Sequence, residues 1–380
     1  ACAAAGLRFV GPDVGHLRTF GDKLRARAAA VDAGVPILPG GEVTSAADAE
    51  ALLAHTGLPV LVKAVGGGGG RGMRLVRDAG ELAHALDLAM AEARGAFGDP
   101  RVYLERYVSR GRHVEVQILA DGDKVLAVGE RDCSVQRRYQ KLLEEAPAPG
   151  LSDALRAAMH DAAVRLGRSV GYRSLGTVEF LVDVDRETFS FLEVNARIQV
   201  EHPVTEATTG LDLVAEQLYV AEGRPLTWRQ EDLAVVGHAI ECRINAEDPD
   251  RDFAPGPGRV TEMRLPVGEG VRVDAAVQRG STVPPYYDSL VAKLIVSGPD
   301  RAAALDRLSG ALDRFVVEGV PTTIPLHRRL VAEPELRAGG VDTGWLARVL
   351  AAGGTSTTDR SPAAAPSGAA RVDGTEVRVG

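Results

Sequence analysis

Polar residues occupy every second position of the stretch Glu193–Glu201, which reads EVNARIQVE. Alternate side chains of a strand share one face, so an extended chain would place five polar groups together: Glu193, Asn195, Arg197, Gln199 and Glu201. An ordinary half-exposed strand is the alternative, but such a face usually carries Thr and aromatic residues rather than acids, an amide and a guanidinium. The pattern favours a row of acceptors followed by an anion receptor, and therefore a binding site.

Two carboxylates are expected to face each other beside this stretch. Glu179 and Glu193 are equidistant from Arg186, so a hairpin centred there pairs them directly, and like charges so placed destabilise a sheet. A divalent cation reverses that effect, and oxygen ligands from two carboxylates and the Asn195 amide suit Mg²⁺ or Mn²⁺ that also binds nucleotide phosphates. The alternative is that a nearby arginine neutralises one carboxylate.

A glycine-rich segment, Gly66–Gly72, lies between two predicted strands. Glycines let a backbone approach an anion closely and adopt positive φ. No Gly-Lys-Ser/Thr follows, so the segment is not a Walker A loop, and a flexible linker is the alternative. Lys63 before the glycines and Arg71 among them favour a flap that covers phosphate groups.

Further polar groups could bind a nucleotide or an anion. Glu105–Val108 ends a predicted strand, whose carbonyls and carboxylate could accept from an adenine amino group; an ordinary strand end is the simpler interpretation. His113 and the basic cluster Arg137–Lys141 could face phosphate or bicarbonate. The alternative for such a cluster is a solvated surface.

Strands and helices alternate along the chain, which predicts an α/β or α+β fold. Apolar periodicity and caps, among them Ser45 and Asp300, predict helices over 22–33, 45–57, 78–94, 155–171, 211–221 and 301–315. The same patterns predict strands over 59–65, 73–77, 102–107, 114–120, 125–131, 176–183 and 188–194. A second region with several strands begins near residue 233. These elements place the Glu179–Glu193 pair on a hairpin and the glycine segment between strands.

The composition excludes several classes of protein. The chain has 380 residues, 45% of them apolar, and a net charge of −8, which is a globular composition that argues against general nucleic-acid binding. It contains no apolar run of about 18 residues, so no membrane span is expected. The three cysteines, Cys2, Cys133 and Cys242, lack CxxC spacing, which indicates neither disulfides nor zinc and favours a reducing cytoplasm.

Several ordered motifs over residues 7–350 resemble those of biotin carboxylases. They are KAVG and RGM around the glycine run, RHVEVQ at 112–117, ERDCS at 130–134, QK at 140–141, EEAPAP at 144–149, EVNARIQVEHPVTE at 193–206, RINAEDP at 243–249 and PPYYDS at 284–289. Their length and order make the resemblance highly specific.

The resemblance implies an ATP-grasp fold of two α+β lobes with ATP between them, over residues 21–230, with a mobile lid at about 35–107. A biotin carboxylase C-terminal domain would follow over 231–350. Residues 1–20 would be the remnant of a linker from an N-terminal subdomain missing from this sequence. Residues 351–380 would be an Ala/Pro/Ser-rich linker and the start of a further module.

The resemblance also implies roles for residues at matching motif positions. The ATP contacts would be Lys23, Lys63, Gly69, Gly70, Glu105, Arg106, Val108, His113 and Tyr139, and the Mg²⁺ ligands Glu179, Glu193 and Asn195. Bicarbonate would bind Lys141, Arg197, Gln199 and the Val200 amide, with Glu201 as its general base, and Arg243 would stabilise the biotin enolate. Tyr139 stands where many members have His, Arg106 where Lys is common, and Val108 where Leu is common.

The implied activity is ATP- and bicarbonate-dependent carboxylation of biotin through carboxyphosphate, the first half-reaction of an acyl-CoA carboxylase. Biotin would be supplied by a carrier domain or protein, because no Met-Lys-Met motif occurs. The expected partners are that carrier, a second copy in a homodimer weakened by the missing subdomain, and a carboxyltransferase. Neither nucleic acid nor a membrane is an expected partner.

Three alternatives stay open. The same module could belong to a pyruvate or urea carboxylase. The chain could be a nucleotide-binding fragment without turnover, because the missing subdomain would close part of the site; ATP hydrolysis that depends on free biotin separates this alternative from the enzyme. An ATP-grasp ligase acting on an amino acid would instead be stimulated by an amine.

Overall fold

The computed structural model describes residues 1–66 and 73–353. Within them, the main strands form one sheet of four and one of eight, with short two-stranded ribbons beside them and helices packed against both sheets. The predicted mixed α/β class is therefore confirmed. Gly69, Gly70 and residues 354–380 of the predicted linker lie outside the described residues.

Several helices begin at side chains that satisfy the free N–H groups of the first turn. Asp22, Ser45, Ser152 and Asp300 each accept from a backbone N–H of the helix that follows, and Ser45 and Asp300 are the caps that the sequence predicts. The helices are α1 (Val14–Phe20), α2 (Lys23–Asp32), α3 (Ala46–Thr56), α4 (Leu82–Phe97), α5 (Asp153–Ser169), α6 (His202–Thr209), α7 (Leu213–Ala221), α8 (Arg301–Arg314), α9 (Ile324–Ala332), α10 (Pro334–Ala338) and α11 (Trp345–Gly353). No helix among the described residues has the length and apolar character needed to cross a bilayer.

Of the seven predicted strands, three are one or two residues shorter in the structure and four are longer. They are β1 (Gly40–Val43), β2 (Val60–Ala64), β3 (Met73–Val76), β4 (Val102–Arg106), β5 (Gly111–Asp121), β6 (Val125–Arg137), β7 (Gln140–Ala146), β8 (Arg173–Asp183), β9 (Thr188–Asn195), β10 (His238–Asn245), β11 (Glu247–Asp248), β12 (Ala254–Pro255), β13 (Gly258–Arg259), β14 (Glu262–Arg264), β15 (Val271–Ala275), β16 (Thr282–Val283), β17 (Leu290–Gly298) and β18 (Val316–Glu318).

The four-stranded sheet is a separate small lobe in the order β1–β4–β2–β3. Helices α3 and α4 pack on it around its own core, which includes Val43, Val60, Leu86 and Leu104. A separate core lets a lobe move as a unit. The described residues of the lobe, 40–66 and 73–106, fall within the range predicted for a lid.

The eight-stranded sheet has the order β15–β17–β10–β7–β6–β5–β8–β9, and its neighbouring strands are antiparallel. One core lies where α2 and α5 pack against β5, β6 and β9, and another where α8 packs against β10 and β17. Because β10 pairs with β7, this sheet continues across the predicted domain boundary at residue 231.

The predicted nine-residue strand Glu193–Glu201 is shorter in the structure. β9 ends at Asn195, which forms the last pair of the β8–β9 ladder with Thr177. Glu201 directly precedes α6. Pro203, in the first turn of α6, fits a helix start. The prediction of an extended chain beyond Asn195 was therefore wrong, because the edge strand β9 has no partner there and the helix begins.

Candidate active site

A cavity of about 1050 Å³ lies between the small lobe and the eight-stranded sheet. Every predicted site residue within the described ranges lines it, although the chain from residue 196 to 200 is irregular. These residues are Lys23, Lys63, Glu105, Arg106, Val108, His113, Tyr139, Lys141, Glu179, Glu193, Asn195, Arg197, Gln199, Val200, Glu201 and Arg243. The cavity therefore brings together groups from β2, β4, β5, β7, β8, β9 and β10.

One end of the cavity concentrates lysines. Lys63 of β2 forms an ion pair with Glu105 of β4, and Lys23 is the first residue of α2. Burial and the nearby Lys63 ammonium lower the pKa of Lys23. Glu193 and Glu105 also lie near Lys23. The two ammonium groups are compact charges that suit the oxygens of a polyanion such as a nucleotide phosphate chain.

Lys141 lies at the centre of the opposite end. Its Nζ donates to Glu115 at 2.6 Å, to Glu201 at 2.6 Å and to Glu179 at 3.2 Å. Burial opposes its charge, yet the surrounding anionic groups raise the pKa of Lys141 well above its usual value. Burial also opposes the charge of Glu115, but Lys141 and Arg131 lower its pKa to about 2. The site is therefore charged, buried and internally paired.

Arg131 of β6 contacts this cluster from the protein interior. It is fully buried and donates to Glu115 at 2.7 Å and to Gln199 at 2.9 Å. It also donates to three further side chains of β5, β8 and α6: Gln117, Thr177 and Thr205. A guanidinium whose donors all meet acceptors fixes the rotamers around it, and Arg131 thereby orients the polar floor of the cavity.

Replacing Arg131 by Met should lower the free energy of unfolding by about 3–5 kcal/mol, because the buried Glu115 carboxylate loses one partner and keeps only Lys141 and the more distant His113 among the described residues. Urea denaturation followed by circular dichroism measures the change. Arg165→Ala is the matched control: its ion pair with Asp161 is on the surface, and such a pair contributes about 0–1 kcal/mol. Equal effects of the two variants would contradict the supporting role of Arg131.

The predicted pair of opposed carboxylates is present. Glu179 and Glu193 are ladder partners, and the Asn195 amide nitrogen donates to Glu179 at 2.8 Å. His113 Nε2 lies 2.9 Å from Glu179. Burial lowers the pKa of His113, but the Glu179 carboxylate outweighs it, so the net pKa is raised.

The donor set of this pair fits a hard divalent cation. Glu179 is surrounded by donors, whereas Glu193 accepts only a long contact of 3.4 Å from Asn195 among the described residues. Oxygen ligands from Glu179, Glu193 and a turned Asn195 amide match what Mg²⁺ and Mn²⁺ prefer. These three residues could hold a metal next to nucleotide phosphates.

Glu201 lies between two cations. Its Oε1 accepts from Lys141 and its Oε2 accepts from Arg243 at 2.9 Å. Burial and Glu115 act to raise the pKa of Glu201, but Lys141 and Arg243 prevail and lower it. The carboxylate is therefore ionised at neutral pH, as a proton acceptor must be.

Sequence reasoning assigned no role to several residues of the site. Glu115 and Arg131 form its buried ion pair, and Glu144 accepts from Arg243 Nε at 2.6 Å. Glu115 is a charged residue between apolar residues of a strand, VEVQI at 114–118, whereas Arg131 and Glu144 have charged neighbours. Since charged residues are rarely buried without partners, that pattern was the available signal for Glu115.

Two family models match the chain. The one described as "Carbamoyl-phosphate synthase L chain, ATP binding domain" matches residues 22–229. The one described as "Biotin carboxylase C-terminal domain" matches residues 241–348. Together they cover the small lobe and nearly all of the eight-stranded sheet.

Curated relatives agree. The biotin carboxylase of Nostoc sp. is 49% identical over 348 residues, which are 91% of this chain and 78% of the relative. Biotin carboxylase 1 of Bacillus subtilis is 47% identical over 91% of this chain and 77% of the relative. A pyruvate carboxylase polypeptide of Methanothermobacter thermautotrophicus is 46% identical over 91% of this chain and 70% of its own length.

Solved structures share the fold. The complex of Campylobacter jejuni biotin carboxylase with β-γ-ATP has a TM-score of 0.88 and 42% identity, over 91% of this chain and 78% of that one. The biotin carboxylase domain dimer of Hydrogenobacter thermophilus 2-oxoglutarate carboxylase, with magnesium ADP and bicarbonate, also has a TM-score of 0.88 and 42% identity, over 91% and 77%. Matching family models, relatives and folds lead to one conclusion: the chain belongs to the biotin carboxylase family, with an ATP-grasp domain followed by a biotin carboxylase C-terminal domain.

Proposed function

We propose that this chain carboxylates biotin on a carrier domain or protein, using ATP and bicarbonate and passing through carboxyphosphate. The observation that carries the proposal is the position of Glu201, whose two oxygens contact Lys141 and Arg243 in one buried cavity. A carboxylate between two cations can take a proton from an anion that the same cations attract. Members of the family with bound bicarbonate and ADP support this choice of substrates.

Bicarbonate would bind on the cavity side of Lys141, next to Arg197, Gln199 and the Val200 amide. Arg197 is exposed to the cavity and donates to Asn195 and the Ile198 carbonyl, so its remaining N–H groups can meet an anion. A second anion beside Lys141 competes for its charge, which raises the pKa of Glu201. Substrate binding thus strengthens the base at the moment when it is needed.

ATP would lie with its phosphates between Lys23 and Lys63 and its base near Glu105, Arg106 and Val108 at the end of β4. Tyr139 and His113 line the same wall. Mg²⁺ bound by Glu179, Glu193 and Asn195 would offset phosphate charge. We infer that the small lobe, residues 40–106, acts as the lid that excludes water from carboxyphosphate.

Arg243 would act on biotin. Glu144 and Glu201 hold its guanidinium at the cavity wall. From there it can stabilise negative charge on the ureido oxygen when N1′ loses its proton. A carrier would present biotin to this wall, and a carboxyltransferase would use the product; the acceptor we favour is an acyl-CoA, while relatives named for pyruvate and 2-oxoglutarate keep those acceptors as outcomes of the test.

The decisive experiment measures ATP hydrolysis with bicarbonate, with and without free biotin. We expect biotin to stimulate phosphate release and carboxybiotin to accumulate. Binding of ATP without biotin-stimulated hydrolysis would instead identify a nucleotide-binding fragment, and stimulation by an amine would identify an amino-acid ligase. Adding the carrier and candidate acyl-CoA acceptors, pyruvate or 2-oxoglutarate then identifies the second half-reaction.

Metal dependence is a separate prediction. Chelation with EDTA should abolish turnover, and Glu193→Gln should raise the Mg²⁺ concentration needed for half-maximal activity by about tenfold or more, because a carboxylate ligand loses its charge. Glu187→Gln, in the exposed turn of the same hairpin, serves as the control. An unchanged Mg²⁺ requirement in Glu193→Gln would contradict the assigned ligand set.

A further inference from the structure

Two buried glutamates lie behind Arg243, and neither belongs to the predicted site. Glu144 of β7 and Glu241 of β10 are direct partners in the antiparallel ladder, and both are fully buried. The Cβ atoms of such partners are about 4.5–5.5 Å apart, so the two carboxyl groups share one small volume. Two negative charges in that volume would repel strongly.

The hydrogen bonding of this pair is incomplete. Glu144 Oε1 accepts from Arg243 Nε, but Glu144 Oε2 and both oxygens of Glu241 have no partner among the described residues. Other buried acids nearby are satisfied; Glu145, for example, accepts from His238 and Arg301. Buried acceptors without donors cost free energy. A proton is the smallest species that can join two of these oxygens.

We propose that Glu144 and Glu241 hold one proton between them and act as a positioning pair for Arg243. Glu241, which forms no ion pair among the described residues, carries the proton as a neutral acid and donates a hydrogen bond to the free Oε2 of Glu144. Glu144 keeps one negative charge, which fixes Arg243 through Nε. The remaining guanidinium nitrogens are then directed towards Glu201 and the cavity, where the proposed function places biotin.

The charges around the pair support a single shared proton. The charged groups that face it are Lys141 on β7, Arg243 on β10, Lys293 on β17 and Glu201 before α6. Helix α6 covers the same region of the sheet with the apolar Val204, and β15 reaches it through Asp274, which pairs with Lys293. Lys141 is shared with Glu115, Glu179 and Glu201, and Lys293 with Asp274. Among the described residues Arg243 alone donates to the pair, and one cation balances one negative charge rather than two.

The directions in which the two pKa values shift agree with the geometry of the pair. Burial and the Glu144 carboxylate raise the pKa of Glu241 well above its usual range. Burial raises the pKa of Glu144 to about 7, although Arg243 opposes the shift. A raised carboxyl pKa means that the pair takes up its second proton as the pH falls through neutrality. That second proton removes the charge that fixes Arg243, so biotin carboxylation declines on the acid side.

The pH at which biotin carboxylation declines on the acid side, called the acid limb, depends on the side chain at position 241. A hydrogen-bond donor stabilises the Glu144 carboxylate and lowers the pH at which it is protonated. Glu241→Gln keeps a neutral donor, so its acid limb should coincide with that of the unchanged chain. Glu241→Leu removes the donor, so its acid limb should move to higher pH by about one unit, a tenfold change in proton affinity.

The test measures kcat and KM for free biotin against pH in both variants. The expected signature of Glu241→Leu is a higher KM for biotin and a shifted limb, with the KM for ATP unchanged. Glu145→Gln is the matched control, because it removes a buried acid on the other face of β7; it should lower thermal stability without moving the limb. A limb of Glu241→Leu that coincides with that of the unchanged chain would overturn the proposal.

Infrared spectroscopy provides a second measurement that does not depend on turnover. The proposal requires a protonated-carboxyl band that persists at mildly alkaline pH and disappears in Glu241→Gln. Its absence from the unchanged chain overturns the shared proton even if Glu241→Leu fails to fold. If the band is present but biotin never stimulates ATP hydrolysis, the shared proton stands and only the proposed function fails.

Discussion

Glu201→Gln should lower biotin-dependent turnover by about 10²–10⁴-fold, the usual contribution of a general base. The amide keeps the size of the side chain and can still accept from Lys141 or Arg243, but it cannot take a proton from bicarbonate. Because Glu201 lies at the Lys141 end of the cavity, away from Lys23 and Lys63, the Kd for ATP should change little. Steady-state phosphate release and calorimetric titration of ATP measure the two quantities.

The control for this variant is Glu206→Gln, one helical turn further along α6. Glu206 forms an ion pair with Arg272 at the helix surface and does not line the cavity. The Glu206→Gln variant should retain biotin-dependent turnover near that of the unchanged chain. A large loss of ATP affinity in Glu201→Gln, with its thermal midpoint preserved, would show that Glu201 acts on the nucleotide and would refute its assignment as the base.

Arg243→Ala should separate the two stages of the reaction. We expect kcat/KM for biotin to fall by about 10²–10³-fold, as when a charge-stabilising donor is removed from an active site. Bicarbonate-dependent ATP hydrolysis without biotin should fall less, because Arg243 contacts Glu201 but lies outside the predicted phosphate contacts. Parallel assays of phosphate release and carboxybiotin formation give the ratio.

Arg272→Ala provides a comparison for that ratio. Arg272 is a half-exposed arginine of β15, on the same sheet, paired with Glu206 and Asp274. Arg272→Ala should leave the ratio of biotin carboxylation to biotin-independent ATP hydrolysis unchanged. If Arg243→Ala reduces both activities by the same factor, Arg243 acts on the first stage, and its assignment to biotin is wrong.

Local patterns predicted that Glu179 and Glu193 lie opposite each other, as they do. Equal spacing of Glu179 and Glu193 from Arg186 identified the partners, but not the reason for their pairing. The hairpin pairs Asp183 with Thr188, and a shift of register between Glu179 and Phe180 then brings Glu193 opposite Glu179. The caps at Ser45 and Asp300 were also predictable from neighbouring residues. The placement of the remaining residues of Glu193–Glu201 around one cavity was foreseen, but through an extended conformation that the chain leaves after Asn195.

Distant pairing was not predictable. Glu144 and Arg243 are separated by 99 positions and meet only because β10 lies beside β7. Alternation identifies which face a side chain occupies, but it does not say which strand will be the neighbour. Glu241 was missed for a related reason: its neighbour in the ladder, Glu144, comes from a remote strand. A carboxylate is expected on the surface unless a partner can be foreseen, which is also why the buried Glu115 was missed.

The ladder between β7 and β10 has a consequence for swapping parts between related enzymes. Adjacent strands are held about 4.8 Å apart by backbone hydrogen bonds, so Lys141 and Glu144 of β7 and Arg243 of β10 belong to one rigid frame. A chimaera that joins the first 230 residues to a foreign C-terminal half would need a foreign strand that docks in register on β7. A shift of one position would turn Arg243 to the opposite face, and such a hybrid could assemble while losing transfer to biotin. Among the described residues, the strands of the small lobe form a sheet of their own and do not pair with the eight-stranded sheet. Exchange of the small lobe should therefore be far better tolerated.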